Sequence, residues 1–451
     1  MPATIAIRGG LVTFRDDPFR HPSRDCLLHE LDALILIVDG RIAQVGPYAT
    51  LRHAVPDGVP VTHYENAVIS AGFVDCHVHY PQLPLIAAYG AQLLEWLEHY
   101  VFPVEARYAD PVFAAEVAAT FLRELLRNGT TTAAVYCTVH PQSVEAFFTE
   151  AARFDARMVA GKVLMDRHAP DDLRDTAQQG YDESAALMDR WHGRGRAHYC
   201  VTPRFAPTST DAQLEAAGAL LKRADGLYMQ THIAENRAEC AWVETLFPER
   251  ASYLDVYAHA GLIGSRSVLG HGIHLGEADL CACHAAGAAL AHCPTSNLFL
   301  GSGLFRLFDA LDPRRPVRVG LGTDVGAGTS LGQLATLNEA YKVAQMTGHT
   351  LSAAQAFWLA TAGGAEALSL GDRIGRVAPG FEADLCVLDL GATPLMRFRM
   401  PFCDTLDDQL FALMTLGDDR AVRATYVAGR KVYDRDADDF FPLPDRPEAR
   451  R

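Results

Sequence analysis

The chain has 451 residues, of which 49% are hydrophobic and 21% are charged, so it has the length and composition of a globular protein with a large core. Its formal net charge of −15 at pH 7 argues against nucleic-acid polymers and anionic membranes as partners, because both favour basic surfaces. This charge does not exclude a small ligand such as a single base or nucleoside.

The cysteine pattern and the apolar runs predict a cytoplasmic protein. Ten cysteines are scattered without the spacing of a small disulfide-stabilised domain, and we expect them to be reduced thiols. Residues 1–10 have the pattern of a short strand and a glycine turn, without the apolar core of a signal peptide. No apolar run is long enough to span a bilayer, so we predict no membrane partner.

Residues 1–68 are predicted to form the N-terminal part of a small β domain. The pattern over residues 4–12 suggests one hairpin. Residues 33–46 suggest a second hairpin, with Asp39-Gly40 as its two-residue turn. Two hairpins cannot bury much apolar surface alone, so we expect further strands from elsewhere in the chain.

Residues 69–373 are predicted to form a metal-dependent (β/α)₈ barrel. Short apolar runs alternate with helical periodicity, which is typical of βα units and a parallel sheet. One helix is predicted over 112–126 and ends at Asn128-Gly129. Eight βα units in a segment of this length fit a TIM barrel with insertions. The predicted strands span residues 73–79, 131–137, 158–164, 197–202, 227–232, 267–271, 288–293 and 318–324.

The C-terminal region returns to β character. Residues 374–389 and 424–433 read as strands and turns within a segment that spans 374–440. The polar, proline-rich end at 441–451 is predicted to be a flexible tail. The predicted fold class is therefore α/β: a (β/α)₈ TIM barrel with a small β-sandwich domain formed by both chain ends.

Polar residues that can bind metal lie at the ends of four predicted strands. His77 and His79 end strand 1, and their i, i+2 spacing puts both imidazoles on one side. His232 ends strand 5, His271 ends strand 6 and Asp324 ends strand 8. The C-terminal strand ends of a (β/α)₈ barrel form its active-site face, so these five groups are predicted to converge on a metal site.

The ligand types favour a single Zn²⁺ or Fe²⁺ ion, since imidazoles with one carboxylate suit borderline metals. A bridged metal pair would need further anionic ligands, often a lysine carbamate at the end of strand 4. Residues 201–205 contain no lysine. Lys162 lies in the middle of strand 3, and we interpret it as structural.

Glu235 follows His232 by three residues and is predicted to lie on the loop above the metal. A glutamate there can move a proton between metal-bound water and a substrate nitrogen. The alternative interpretation is a solvated loop carboxylate.

Other histidines and cysteines are interpreted as bystanders. The run Cys281-Ala282-Cys283-His284 lies in a helical stretch without a second cluster, which argues against a metal site. His274 lies past its strand end, and the sequence does not indicate which residues pack around His292. The chain lacks a Walker loop, a dinucleotide-binding fingerprint and the cysteine-rich signature of zinc deaminases.

The motifs resemble the amidohydrolase superfamily and, within it, the guanine deaminase family. The superfamily resemblance rests on residues 72–79, the terminal β domain and residues 322–324. Ala71 and Cys76 depart from the family, where proline and threonine are usual. The segments that carry the closer resemblance are residues 79–82, 93–97, 102–105, 202–205, 231–236, 270–272, 292–298 and 320–325.

The resemblance implies a role for each matching residue. Glu235 would be the proton shuttle, with Asp324 sharing the water proton. His271 would hold the attacking water or the tetrahedral intermediate. One zinc ion per chain, with Fe²⁺ as the alternative, would be bound by His77, His79, His232 and Asp324, and the purine-contacting residues would be Gln82, Arg204 and Phe205.

The implied activity is hydrolytic deamination of guanine to xanthine and ammonia, a step of purine catabolism, by a homodimer. Arg204 is a donor-only fork, so it suits the O6 carbonyl of guanine and disfavours the donor amine of adenine. Alternatives are deamination of another amino-heterocycle, of the 8-oxoguanine, triazine, pterin or thiomethyladenosine type. A catalytically silent metal-binding scaffold is a remote alternative, against which the complete ligand set and Glu235 argue.

Overall fold

The structure is a computed structural model, and it describes residues 4–90 and 92–437. Within these ranges the strands, numbered in chain order, are β1 Thr4–Phe14, β2 Leu27–Val38, β3 Arg41–Pro47, β4 Val61–Ala71, β5 Phe73–His79, β6 Thr130–Tyr136, β7 Arg157–Gly161, β8 Val163–Leu164, β9 Ala197–Pro203, β10 Tyr228–Ile233, β11 Ser267–His271, β12 Ala289–His292, β13 Arg318–Leu321, β14 Leu385–Asp389, β15 Val422–Val427 and β16 Arg430–Asp434.

The α-helices mostly follow the barrel strands. They span Ser23–Cys26, Tyr48–Leu51, Leu93–Trp96, Phe102–Glu105, Pro111–Arg127, Pro141–Phe154, Ala177–Trp191, Asp211–Leu220, Arg237–Leu246, Tyr253–His259, Glu277–Ala286, Pro294–Phe299, Leu307–Ala310, Gln333–Met346, Ala353–Leu359, Ala362–Ala367, Pro394–Arg399 and Leu406–Leu416.

Eight parallel strands form the barrel, in the order β5-β6-β7-β9-β10-β11-β12-β13, and β8 pairs with β9. Strands β5, β6, β11 and β12 are buried along their whole length, as expected for a parallel sheet covered by helices. Backbone hydrogen bonds join the last strand to the first: Asp324 N donates to His77 O at 2.9 Å, and His79 N donates to Val325 O at 3.0 Å. The predicted TIM barrel is confirmed.

Both chain ends contribute to one seven-stranded sheet, as predicted. Its order is β16-β15-β14-β4-β1-β2-β3, and β1 pairs with β4 in parallel while the other pairs are antiparallel. Its apolar face buries Ile7, Ile35, Ile69, Leu385 and Val387 together. The N-terminal strands thus complete their core with strands from the other end of the chain.

The hairpin predicted over residues 4–12 is wrong. Residues Thr4–Phe14 form one continuous strand, which pairs with β2 on one side and β4 on the other. The pair Gly9-Gly10 marks a bulge, where the register with both neighbours shifts. Glycine inside a strand often marks a bulge, and here the chain bends without turning back.

The helix Pro111–Arg127 confirms the prediction over 112–126. Asp110 caps its first turn, since its side chain accepts a hydrogen bond from Val112 N at 2.9 Å. Pro111 occupies the first turn, where a backbone N–H has no intrahelical partner. The helix ends at Arg127, with Asn128 as its C-terminal cap, and its apolar face packs on the barrel.

A buried ion-pair network joins the barrel to residues 382–384, which lead into strand β14 of the small sheet. Glu382 accepts two hydrogen bonds from Arg157, at 2.9 and 2.6 Å, and a third from Arg196 at 2.5 Å. Arg196 also pairs with Asp384. All four side chains are less than a tenth exposed.

Replacing Glu382 with glutamine is expected to lower the free energy of unfolding by about 3 kcal/mol, because it leaves the buried Arg157 without its anionic partner. The drop in the midpoint of thermal unfolding, compared with that of an exposed Glu244→Gln control, measures it. An unchanged midpoint would contradict a stabilising role for this network.

The domain divisions at 68/69 and 373/374 stay predictions, and β4 runs on to Ala71. The tail predicted at 441–451 lies outside the described residues. Within the described part of the chain, no helix combines the length and apolar character needed to cross a membrane.

Candidate active site

Strand ends at the C-terminal face of the barrel carry the predicted metal ligands. His77 and His79 are the fifth and last residues of β5, and their alternation places both on the same side. His232 lies one residue before the end of β10, and His271 is the last residue of β11. Asp324 lies three residues beyond β13, with a left-handed backbone (φ 50°) that turns it into the site.

One ligand atom from each of His77, His79, His232 and Asp324 lies within 4.8 Å of the others. Asp324 Oδ1 is 3.2 Å from His77 Nε2 and 3.5 Å from His79 Nε2. The Nε2 atoms of His79 and His232 are 3.0 Å apart. The structure therefore brings all four predicted ligands together.

The donor set fits a metal ion. His232 Nδ1 donates to the backbone oxygen of Arg204 at 2.7 Å, so the lone pair of its Nε2 faces the cluster. His77 Nε2 is buried without a hydrogen-bond partner. Burial lowers the pKa of His77, His79 and His232, which keeps these imidazoles neutral as metal binding requires.

Asp324 is held as a carboxylate. Burial by itself would raise its pKa, but the nearby imidazoles of His77, His271 and His79 outweigh burial and bring the pKa of Asp324 well below its usual range. An ionised carboxylate is the form that binds a metal.

Asp75 supports the turn that carries Asp324, and no sequence pattern had indicated a role for it. It accepts hydrogen bonds from the backbone N–H of His77 and of Thr323, each at 3.1 Å, and from the Thr323 hydroxyl. It thus ties the end of the first barrel strand to the turn that carries Asp324. Burial raises the pKa of Asp75 to about 7.

Glu235 lines the same cavity as the predicted metal ligands His79, His232 and Asp324, and it is only 3% exposed, so it is not a solvated loop carboxylate. Its Oε1 accepts a hydrogen bond from Ser302 Oγ at 3.0 Å, and its Oε2 is 3.4 Å from His271 Nε2. Its backbone N donates to Glu239 Oε2 at 2.9 Å, and Glu239 also caps the helix that follows. Burial raises the pKa of Glu235 to about 7.

His271 faces both carboxylates. Its Nδ1 donates to Asn297 Oδ1 at 2.9 Å, and its Nε2 lies 3.7 Å from Asp324 Oδ2. Burial lowers the pKa of His271, but Glu235 and then Asp324 raise it more, so the net shift is upward. The side chain can therefore offer an N–H to an oxygen atom between the two carboxylates.

The residues predicted to contact a purine line the same cavity as Glu235 and three of the predicted metal ligands, His79, His232 and Asp324. Gln82, Arg204 and Phe205 are 2%, 2% and 5% exposed. Trp96 and Leu97 form an apolar wall of this cavity. The cavity thus combines an end lined by the histidine and aspartate cluster with an aromatic, hydrogen-bonding end, and this combination is usual in small-molecule sites.

Glu105 organises the hydrogen-bonding end and had no predicted role. Its Oε2 accepts from Arg204 Nη1 at 2.5 Å, and its Oε1 accepts from Arg204 Nη2 at 3.1 Å and from Gln82 Nε2 at 3.2 Å. Glu105 and Arg204 are 99 residues apart in the chain. Only its place in the segment 102–105 hinted at it.

The residues interpreted as bystanders lie outside the cluster. Lys162 is buried between β7 and β8, where it pairs with Asp175 and lies 3.4 Å from Glu183. His274 Nε2 is hydrogen bonded to Ser302 O at 3.2 Å, and the ring of His292 stacks on Phe305 at 4.7 Å. The cysteines at 281 and 283 lie in the helix Glu277–Ala286.

Comparisons with known proteins identify the family to which the chain belongs. The chain matches the amidohydrolase family over residues 68–432. It is 50% identical over 404 residues to guanine deaminase of Escherichia coli K12, covering 90% of this chain and 92% of that protein.

Two solved structures share the whole architecture. E. coli guanine deaminase superposes with a TM-score of 0.92 at 46% identity, covering 96% of this chain and 99% of that one. The guanine deaminase of C. acetobutylicum with guanine bound in its active site superposes with a TM-score of 0.86 at 26% identity, covering 96% and 100%. The chain therefore belongs to the amidohydrolase family, in the branch that contains the guanine deaminases.

Proposed function

We propose that this hydrolase deaminates guanine to xanthine and ammonia. The observation that carries the proposal is the cavity itself: a three-histidine, one-aspartate cluster opens onto the same space as the Arg204 fork and the buried Glu235. The first group suits water activation, and the second suits a neutral base with a carbonyl oxygen.

We propose one Zn²⁺ per chain, with Fe²⁺ as the alternative, held by His77, His79, His232 and Asp324. Three neutral imidazoles with one carboxylate is a ligand set that Zn²⁺ accepts. When bound, such an ion would lower the pKa of a water molecule and make hydroxide available near neutral pH.

The protein's own residues would then move protons around C2 of guanine. Glu235, with a pKa near neutrality, would accept the water proton and deliver it to N3 as the hydroxyl adds to C2. Asp324 would share the water proton. His271 would hold the water or the oxygen of the tetrahedral centre by its Nε2–H. The hydroxyl group on C2 would then give up its proton, which Glu235 would pass to the 2-amino group. The C–N bond would break, ammonia would leave, and the C2 carbonyl and N3–H of xanthine would remain.

Base selection would follow from donors and shape. Arg204 presents only N–H groups, so it would bind the O6 carbonyl of guanine and would face the amine of adenine donor to donor. A buried donor left unpaired is costly, so adenine would be rejected. Gln82 would contact the base edge, and Phe205 would supply a ring face or edge.

The test is turnover of guanine by the zinc-loaded protein, compared with 8-oxoguanine, a triazine, a pterin and thiomethyladenosine. We expect xanthine and ammonia in equal amounts from guanine, at a higher kcat/KM than for any other member of the panel. Faster turnover of another heterocycle would identify that compound, and not guanine, as the preferred substrate. No turnover of any of them, with full metal content, would favour a silent scaffold.

We also propose a cytoplasmic homodimer that acts on a small purine base rather than on nucleic acid or membranes. All ten cysteines are free thiols, which supports a reducing compartment. The net charge of −15 supports a small neutral ligand over a polyanion. The dimer rests on the family resemblance, and light scattering of the purified protein tests it.

A further inference from the structure

Glu105 is fully buried, and it accepts three hydrogen bonds from Arg204 and Gln82, which line the hydrogen-bonding end of the cavity. It ends the helix Phe102–Glu105, which continues from the segment that carries Trp96 and Leu97 of the cavity wall. The carboxylate therefore lies behind the recognition groups, and it is tied to the wall that a base would pack against.

The pairing with Arg204 leaves a defined part of the guanidinium free. Glu105 takes one N–H from Nη1 and one from Nη2, so the Nε–H and the outer N–H groups stay available. A two-bond fork fixes the plane of the guanidinium as well as its position. The donors of Arg204 are thus oriented before any ligand arrives.

Glu105 also sets which way the Gln82 amide points. Gln82 Nε2 donates to the Glu105 carboxylate, and Gln82 Oε1 accepts from Gly326 N at 3.2 Å. A flipped amide would place two acceptors against each other at Glu105 and two donors at Gly326. The carboxylate therefore decides that Gln82 shows the cavity one remaining N–H and one lone pair in a fixed arrangement.

We propose that Glu105 is a positioning residue that fixes the orientations of the Arg204 guanidinium and the Gln82 amide. Through them it sets the preference of the cavity for bases with an oxygen at C6. The inference rests on the proposed function. Glu105 does not touch the base and acts through the two residues that do. Its negative charge also balances Arg204, so the cavity favours a neutral base.

The test compares binding of two probes to metal-loaded protein by calorimetry. Hypoxanthine has an oxygen at C6, purine has none, and neither carries a 2-amino group to be hydrolysed. We expect the ratio of the Kd of purine to the Kd of hypoxanthine to fall about 10- to 100-fold in Glu105→Gln, the scale of one charge-assisted hydrogen bond. Glu105→Asp, which keeps the charge but shortens the side chain, should give a smaller fall in the same direction.

Glu382→Gln is the matched control, because Glu382 also makes a buried two-bond fork with an arginine and is not among the residues that line the cavity. Its partner Arg157 is the first residue of β7, at the opposite end of the strand from the C-terminal face of the barrel. We expect it to lower stability and leave the ratio unchanged. If Glu105→Gln is insoluble, Glu105→Asp decides the question by the same ratio. An unchanged ratio in folded, metal-loaded protein, or equal weakening of both probes, would overturn the proposal.

A double-mutant cycle adds a second readout. If Glu105 acts largely through Arg204, the pair Glu105→Gln and Arg204→Lys should change the ratio by less than the product of the two single changes. Additive effects would overturn the inference. Because both probes report binding, absence of guanine turnover by the wild-type protein would reject the proposed function without deciding the role of Glu105.

Discussion

Glu235→Gln is expected to retain its metal and lose about 10³-fold in kcat for guanine. Glutamine keeps the size of the side chain and can still contact Ser302, but it can neither take a proton from water nor give one to N3. General acid–base catalysis by a positioned side chain accounts for about 10²- to 10⁴-fold in rate. Glu235 is not among the four ligand residues, so metal content should not change.

Metal analysis and steady-state rates of xanthine formation measure this effect. Glu244→Gln, on the exposed side of the helix that follows Glu235, is the matched control and should behave as wild type. A Glu235→Gln protein with full metal content and more than a tenth of wild-type kcat would contradict the shuttle role.

The dependence of kcat/KM on pH should also report the ionisation of Glu235. The ionised form of Glu235 accepts the water proton, so kcat/KM should fall as pH drops through its pKa. That pKa is raised to about 7 by burial, and a bound cation nearby would favour the ionised form, so we expect the acid limb at or below pH 7. The residual activity of Glu235→Gln should lack this limb, and the same limb in both proteins would assign it to another group.

Removal of the metal is expected to abolish activity, and stoichiometric Zn²⁺ is expected to restore it. A metal ion lowers the pKa of bound water from about 15.7 to about 7, and none of the protein groups in this cavity can supply hydroxide as well. We expect a loss of at least about 10³-fold after dialysis against a chelator. Measuring kcat after the metal-free protein is reconstituted with Fe²⁺ or with Zn²⁺ shows which ion gives the higher activity.

The ligand assignment is tested with His77→Ala and a decoy. His77 Nε2 is buried with no other partner, so its removal should lower metal content together with activity. His284→Ala alters the Cys281-Ala282-Cys283-His284 run, whose histidine instead is hydrogen bonded to Pro316 O, and it should keep both. Loss of metal from the decoy variant with retention in His77→Ala would refute the assignment.

The metal cluster could be predicted from sequence because each ligand is local to a strand end. Strand alternation puts His77 and His79 on one side, and the barrel brings the other strand ends to the same face. Each inference needed only a short pattern and one rule of topology. The expected positions of His232, His271 and Asp324 required nothing more.

The support around the cluster could not be predicted in the same way. Glu105, Ser302 and Asn297 act through side-chain hydrogen bonds to residues far away in the sequence, and no local pattern pairs a buried acid with its arginine. The Gly9-Gly10 misreading has the same origin. Glycine marks a turn or a bulge, and only the neighbouring strands decide between them.

The most direct test of the account is deamination of guanine by the zinc-loaded protein in ¹⁸O-labelled water, read by mass spectrometry of the product and by ammonia release. We expect xanthine with one ¹⁸O atom, at C2, and one ammonia for each guanine consumed. Xanthine without the label, or no xanthine from fully metal-loaded protein, would contradict it.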